Sequence, residues 1–295
     1  MSVNSNLNAS ISAETKPGRV RLRVRDIERT KIFYEQTLGF EVLTADEKHV
    51  GLGTAPDREL VQLVVEPGAP QRPPRTTGLY HFAILVPNRR ELAVVLDRLL
   101  SRSYPLQGAA DHYVSEALYL ADPEGNGIEV YADRSRDEWY SDDGKMRMGT
   151  ISLDVDDLLS TLESNDERSA RLPDGTRLGH VHLHVSDLEQ AVAFYRDIIG
   201  FDLMMLYGPT AGFLSAGGYH HHIGVNTWVG EGAAQPPEDA AGLIDYSILV
   251  PDESELEQIA TRAEASGYAA ESGDAVLKID DPSNNEIIIK AEPEV

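Results

Sequence analysis

Residues 18–40 read GRVRLRVRDIERTKIFYEQTLGF and residues 179–201 read GHVHLHVSDLEQAVAFYRDIIGF, with ten of the 23 aligned positions identical. Each copy begins with alternating apolar and polar residues, a pattern that predicts a strand with one buried face. Asp26 and Asp187 follow where a helix N-cap is expected, and each helix pattern ends at a glycine. The repeat therefore predicts a strand followed by a helix at two places in the chain.

A second pair of segments repeats the same design. YHFAILVPNRREL at 80–92 matches IDYSILVPDESEL at 244–256, and each is followed by a turn and a strand, DPEGNGIEVY at 122–131 and DPSNNEIIIK at 281–290. The chain is thus predicted to contain four copies of one strand–helix–strands module. The modules begin near Arg19, His81, His180 and Asp245.

The length of 295 residues indicates two domains of roughly 100–200 residues each. We predict a disordered tail over 1–15, an N-terminal domain over 16–135 and a C-terminal domain over 173–295. The charged stretch between them, 136–172, is interpreted as an acidic linker with one short helix.

Composition excludes several classes of function. A formal net charge of −23 repels phosphate backbones, so nucleic acid and anionic membranes are not expected as partners. The absence of cysteine excludes disulfides and thiolate metal sites. The polar N-terminus has no signal-peptide core, and no apolar run approaches the ~20 residues of a membrane helix. We expect a cytoplasmic protein and leave a homo-oligomer open.

The four modules, with this opening and closing, resemble the vicinal oxygen chelate superfamily of glyoxalases, bleomycin resistance proteins and extradiol dioxygenases. The resemblance covers residues 16–292. It implies an α+β fold of βαβββ modules in which two modules curl into a cup-shaped half-barrel around a divalent metal. Four modules then form two such cups.

In that family the metal ligands are the first polar residue of the opening strand and a glutamate on the closing strand. The opening positions here are Arg19, His81, His180 and Asp245. The closing position carries Glu129 in the second module and Ile288 in the fourth. Pairing the second module with the third gathers His81, His180 and Glu129, a two-histidine, one-carboxylate set suited to iron(II). The first and fourth modules would form a cup without metal.

Two further segments resemble those around the metal of extradiol dioxygenases. In DHYVSEALY at 111–119, the resemblance implies that His112 bonds the substrate or dioxygen and that Tyr119 orients and deprotonates the diol. In YHHHIGVNTW at 219–228, we predict His222 as the acid–base histidine, with His220 on the same strand face and His221 on the other. A solvated turn or an adventitious metal-binding patch are the alternatives for the three histidines. Trp228 is left open between cavity wall and core.

The resemblance implies an extradiol, meta-cleaving dioxygenase of the catechol 2,3-dioxygenase type. Its partners would be a small aromatic diol and O2, and its cofactor iron(II), with manganese(II) left open. One alternative is a glyoxalase-type metal-dependent isomerase or lyase, which normally needs a second glutamate that the third module lacks. The other is a non-enzymatic module that binds a small aromatic molecule and has no need of three metal ligands.

Overall fold

The computed structural model describes residues 10–163 and 169–292, whose strands form one sheet of eight and one of nine. Each sheet curls into a half-barrel, and the helices pack on the apolar outer faces. This confirms the α+β fold of repeated modules. Within the described ranges, no helix is long and apolar enough to cross a membrane.

The first and third modules have the same element order. The first comprises β1 (Lys16–Val24), α1 (Ile27–Ile32), β2 (Glu41–Ala45), β3 (His49–Ala55) and β4 (Arg58–Val65). The third comprises β10 (Arg177–His184), α4 (Leu188–Ala193), β11 (Asp202–Tyr207), β12 (Ala211–Ser215) and β13 (Ile223–Asn226).

The second and fourth modules have a longer helix than the first and third. The second comprises β5 (Gly78–Leu85), α2 (Arg89–Ser101), β6 (Gly108–Asp111), β7 (Ser115–Ala121) and β8 (Gly127–Asp133). The fourth comprises β14 (Gly242–Val250), α5 (Glu253–Ala265), β15 (Ala270–Gly273), β16 (Val276–Asp280) and β17 (Glu286–Ala291).

The helix signals in the repeat are confirmed. Asp26 accepts a hydrogen bond from Arg29 N and caps α1, while Asp187 accepts from Gln190 N and caps α4. Both helices continue as a π-helical turn, which ends at Gly39 in one module and at the equivalent glycine in the other. Gly39 has φ of 95°, a left-handed conformation that an L side chain rarely adopts.

Strand order shows how the modules pair. The eight-stranded sheet joins the first and fourth modules through β1 and β14, which are antiparallel neighbours. The nine-stranded sheet joins the second and third modules through β5 and β10. The crossed pairing inferred from the surviving ligands is therefore confirmed. Neither half-barrel coincides with one half of the chain, and the N- and C-terminal domains remain a prediction about sequence units.

Two β-bulges mark the β5–β10 pair. Between His180 and Leu178 the extra residue is Gly179, and between His81 and Leu79 it is Tyr80. A side chain on Gly179 would begin 1.7 Å from the Tyr131 hydroxyl, so glycine is needed there. The second bulge turns Tyr80 toward the same face as His81 instead of the core.

The structure differs from the sequence interpretation at both ends of the first domain. Residues 10–15, part of the predicted disordered tail, are packed: Ile11 is 6% exposed and its N–H donates to Gly200 O. Residues 1–9 of that tail lie outside the described residues. The described part of the predicted linker, 136–163 and 169–172, also belongs to the fold. It contains β9 (Ile151–Ser152), which extends the nine-stranded sheet beside β6, and the short acidic helix α3 (Val155–Ser160).

Candidate metal centre

Three neighbouring strands of the nine-stranded sheet carry the predicted ligands. Glu129 on β8 pairs with Ala83 on β5, which in turn pairs with His180 on β10. His81 lies two residues before Ala83 and so shares its face. The small side chain of Ala83 leaves room for the flanking residues to lean toward one another.

The three predicted ligands meet at their tips. Glu129 Oε2 is 3.0 Å from His81 Nε2 and 3.1 Å from His180 Nε2, and the two Nε2 atoms are 3.2 Å apart. All three side chains are buried. We call this group the triad. Among the described residues it is the set of three that could hold a metal ion.

The donor set of the triad fits a divalent metal of the iron type. Ligands about 2.1 Å from a metal and at right angles to one another lie about 3.0 Å apart, close to the distances found here. Two imidazole nitrogens and one carboxylate on one side of an ion are the set that non-haem iron(II) oxygenases use. Without a cation, the lone pairs of these atoms would face one another in a buried site.

The protonation states of the triad residues also favour the binding of a cation. Burial raises the pKa of the Glu129 carboxyl, but His180 and His81 outweigh it and the pKa lies well below its ordinary value. Burial lowers the pKa of His180 to about 4, although Glu129 opposes this. At neutral pH the carboxylate is ionised and the His180 imidazole is neutral, which are the forms that bind metals.

A cavity of about 370 Å³ opens above the triad, within the range of small-molecule sites. His81 and Glu129 form part of its wall. Its wall also includes Tyr80, His112, Tyr119, Met148, Gly149, His182, Met205, Tyr207, Phe213, His221 and Trp228. Apolar and aromatic side chains predominate, with a few polar groups converging near the triad. The space therefore suits a small aromatic molecule.

His112 and Tyr119 both lie in this wall. His112 Nδ1 is 2.7 Å from Gly149 O, and because a carbonyl only accepts, Nδ1 carries the proton. In the neutral ring Nε2 then accepts from the Tyr119 hydroxyl, 2.7 Å away. Burial and the neighbouring Glu129 carboxylate raise the pKa of Tyr119 well above its ordinary value, so the phenol keeps its proton at neutral pH.

His222 does not lie in the cavity. Residues 220–222 precede β13 and are not part of the strand, so the alternation assumed for them does not hold. His222 instead stacks on Tyr219, with ring centroids 4.8 Å apart, and its Nδ1 accepts from Ala216 N. The histidine beside the triad is His221, whose ring lies 4.0 Å from that of His180.

A chain of hydrogen bonds orients His221. Asp133 Oδ1 accepts from His220 Nε2 at 2.9 Å, and His220 Nδ1 lies 2.8 Å from His221 Nδ1. In a neutral His220 ring, Nδ1 is therefore the acceptor for the His221 Nδ1 proton. This leaves Nε2 of His221 as an unprotonated acceptor. Burial, and then His180, lower the pKa of His221 well below its ordinary value.

Exposed aromatic side chains surround the mouth of the cavity. Trp228 and Tyr207 are each 47% exposed and Tyr80 is 39% exposed. The rings of Tyr80 and Trp228 meet edge to face with centroids 5.3 Å apart. Trp228 is thus a cavity wall residue and not part of the core.

The described residues of the eight-stranded half-barrel contain no comparable group. Arg21 and Asp245 are cross-strand partners in the eight-stranded half-barrel, at the position that His182 and His81 occupy in the nine-stranded one. Arg21 Nη1 donates to Asp245 Oδ2 at 2.7 Å, and Arg19 donates to Glu59 at 2.6 Å. Among the described residues of this half-barrel, ion pairs therefore stand where the other half-barrel has the triad and its surroundings.

Sequence reasoning missed several residues at the site. Tyr80 was missed because a bulge cannot be read from alternation, and Gly149 because it lies in the assumed linker. The role of Ala83 as a small residue between two ligands was detectable, since it follows His81 by two. Asn226, which bonds His182 and His184, carried no signal in the sequence.

Comparison with known proteins identifies the family. The model of the Glyoxalase/Bleomycin resistance protein/Dioxygenase superfamily matches residues 16–130 and 177–288. The chain therefore belongs to that superfamily. A catechol-2,3-dioxygenase of Bacillus subtilis (strain 168) is 45% identical over 276 residues, covering 92% of this chain and 96% of the relative. The chain thus groups with the dioxygenases of the superfamily.

Solved structures agree with the fold. A putative dioxygenase from Bacillus subtilis subsp. subtilis str. 168 has a TM-score of 0.68 at 12% identity, covering 97% of this chain and 87% of that one. Glyoxalase I from Zea mays has a TM-score of 0.59 at 17% identity, covering 94% and 92%. At these identities the similarity establishes the fold alone.

Proposed function

We propose that this protein is an iron(II)-dependent extradiol dioxygenase that opens the ring of a catechol-type diol with O2. One observation carries the proposal: two histidines and one glutamate converge at the base of an aromatic-lined cavity. The 45% identity to a catechol-2,3-dioxygenase over nearly the whole chain supports the same reaction. Manganese(II) would suit the same donor set.

His81, His180 and Glu129 would hold the metal. Iron(II), when bound, supplies one centre that brings the diol oxygens and dioxygen together and passes electrons between them. Holding both reactants at one point turns an encounter of separate molecules into an intramolecular step. The chain's own contribution is to orient the diol and to move its protons.

Tyr119 and His112 are proposed to receive a proton from the diol. The Tyr119 oxygen can accept from a substrate hydroxyl while its own proton is donated to His112 Nε2, 2.7 Å away. The Gly149 carbonyl keeps the other His112 proton on Nδ1. A proton can therefore leave the diol without a free hydroxide entering the cavity.

His221 is proposed as the acid–base histidine in place of His222. Its Nε2 is the acceptor that Asp133 and His220 leave open, and its ring lies against His180. An imidazole at this point can take a proton from the substrate and return it to the departing oxygen.

The two alternatives are less well supported. A glyoxalase-type isomerase needs a further carboxylate on the third module, and β13 reads Ile223–Asn226 without one. A simple binding module has no use for a triad with ligand spacing at the base of its cavity.

The test is anaerobic reconstitution with iron(II), followed by catechol and air. We expect about one iron per chain and a yellow ring-cleavage product. Glu129→Gln is expected to abolish both, because it replaces the anionic ligand. Asp245→Asn, at the equivalent level of the other half-barrel, should keep both.

Bound iron with no product from any vicinal diol would contradict the dioxygenase proposal and favour an isomerase. Absence of stoichiometric metal in the unmodified protein would favour the binding module. Loss of metal in Asp245→Asn would show that the ligand set is wrong.

A further inference from the structure

Asn226 holds two histidines of β10 from the end of β13. Its side chain is fully buried, with Nδ2 2.9 Å from His182 Nε2 and Oδ1 2.7 Å from His184 Nδ1. It lies opposite His184 in the parallel β10–β13 pair, so the backbone fixes its position. None of the proposed proton transfers involves Asn226.

The orientation of the Asn226 amide follows from a third contact. The backbone N–H of Trp228 donates to Asn226 Oδ1 at 3.1 Å. A backbone N–H can only donate, so the atom that faces it must be the carbonyl oxygen. The amino group of Asn226 therefore faces His182.

This orientation sets the tautomer of His182. An amide NH₂ only donates, so His182 Nε2 must accept and carries no proton. The single proton of the ring is then on Nδ1. That nitrogen forms no hydrogen bond with any of the described residues. The His182 ring lines the cavity beside His81, its partner on the neighbouring strand. The cavity thus contains an N–H donor for which the described part of the chain supplies no acceptor.

We propose that Asn226 is a positioning residue that fixes His182 as a neutral Nδ1–H donor to a ligand oxygen held at the triad. A negatively charged ligand oxygen is stabilised by accepting a hydrogen bond from this donor. A ligand hydroxyl must donate its own proton to another acceptor, for example His221 Nε2. The identity of that ligand as a diol rests on the proposed function. The cavity would then favour a diol with one ionised and one protonated oxygen.

The packing around His182 supports a fixed ring. A side chain on Gly224 would begin 2.8 Å from the His182 ring, so the imidazole lies directly over the β13 backbone. Rings of Tyr80 and Trp228 contact its other edges, with centroids 5.2 and 5.4 Å away. The ring therefore has little freedom to turn over and exchange its two nitrogens.

The first test needs neither metal nor substrate. Long-range ¹H–¹⁵N correlation spectra of metal-free protein with labelled histidine report the tautomer of each ring, and His182→Gln identifies the His182 signals among the nine histidines. We expect His182 with its proton on Nδ1. A proton on Nε2 would overturn the proposal.

Two variants then test the role of Asn226. Asn226→Asp keeps the shape but offers only acceptors, so the His182 proton should appear on Nε2. The matched control, His184→Phe, removes the other partner of Asn226 while the Trp228 N–H still orients the amide. It should leave the His182 tautomer unchanged. An unchanged tautomer in Asn226→Asp, or a changed one in the control, would overturn the proposal.

Turnover gives an independent readout. Loss of one donor to a developing oxyanion typically costs about 10²-fold in kcat, so Asn226→Asp should lower kcat on catechol by about that factor with KM little changed. An equal rise in KM with constant kcat would assign Asn226 to simple binding and contradict the proposal. If the unmodified protein cleaves no diol but His182 carries its proton on Nδ1, the proposed function fails while this inference stands.

Discussion

His222 is partly buried against the ring of Tyr219 and takes up a proton only at unusually low pH. Burial, followed by the neighbouring His220 and Arg177, lowers its pKa to about 3. In the unfolded chain a histidine has a pKa of about 6.5. The unfolded state therefore binds more protons below about pH 6.5, and this contribution to stability is lost progressively as the pH falls toward 3.

We predict that His222→Gln makes the metal-free protein less sensitive to acid. Glutamine offers an oxygen to Ala216 N–H in place of Nδ1 but does not titrate. Between pH 7 and pH 5 the free energy of unfolding should fall by about 2 kcal/mol less than in the unmodified protein, as one such histidine implies. Urea unfolding at the two pH values measures this. Equal losses would show that His222 titrates normally.

For individual residues, the sequence predicted the triad but not the residues that orient its surroundings. His81, His180 and Glu129 stand at equivalent points of a repeated motif, so their meeting follows from the fold. The choice between His221 and His222 depends on a turn before β13, where alternation gives no direction to a side chain. The hydrogen bonds of Asn226 depend on strand pairing between distant segments.

The element that departs most from the sequence interpretation is the segment 136–163. Its charge suggested a linker, yet Trp139 is 1% exposed and β9 pairs with β6. Met148 and Gly149 of this segment line the cavity, and the Gly149 carbonyl keeps the His112 proton on Nδ1. Net charge describes the solvent face of a segment and does not reveal that its few apolar residues are buried.

The aromatic mouth of the cavity leads to a prediction about substrate size. Trp228 and Tyr80 expose apolar surface that a second ring on the substrate would cover. Trp228→Ala should raise the KM for 3-phenylcatechol about tenfold, since aromatic contacts contribute roughly 1 kcal/mol beyond the area they bury. The KM for catechol itself should change little.

Steady-state kinetics with both diols measures this difference. Ile32→Ala removes a similarly exposed apolar residue on α1, away from the cavity, and serves as the control. Equal effects of Trp228→Ala on both diols would show that the mouth does not discriminate by substituent.

For the whole molecule, crossed pairing means that neither half of the chain contains all three residues of the triad. Residues 10–163 supply His81 and Glu129, whereas residues 169–292 supply His180. The four modules were predictable from the repeat. Their pairing was predictable only because the ligand types left one complete set.

We predict that the two halves, expressed separately as residues 1–163 and 169–295, each bind no stoichiometric iron. Each would lack the neighbour of its opening strands, so β5 and β10 would become exposed edges. Co-expression should restore one iron per pair, measured by metal analysis after copurification. Stoichiometric iron in the N-terminal half alone would contradict a site shared between the second and third modules.

The same pairing has a consequence for biosynthesis. β1 ends at Val24 and its partner β14 begins only at Gly242, yet the two strands are neighbours in the sheet. The backbone N–H of Arg19, for example, donates a hydrogen bond to Ser247 Oγ. At roughly 5–20 residues per second, a ribosome needs about 10–45 s to make the intervening chain. The first strand therefore emerges long before the strand that covers it. During that interval its unpaired edge must be shielded by the nascent chain itself or by a chaperone.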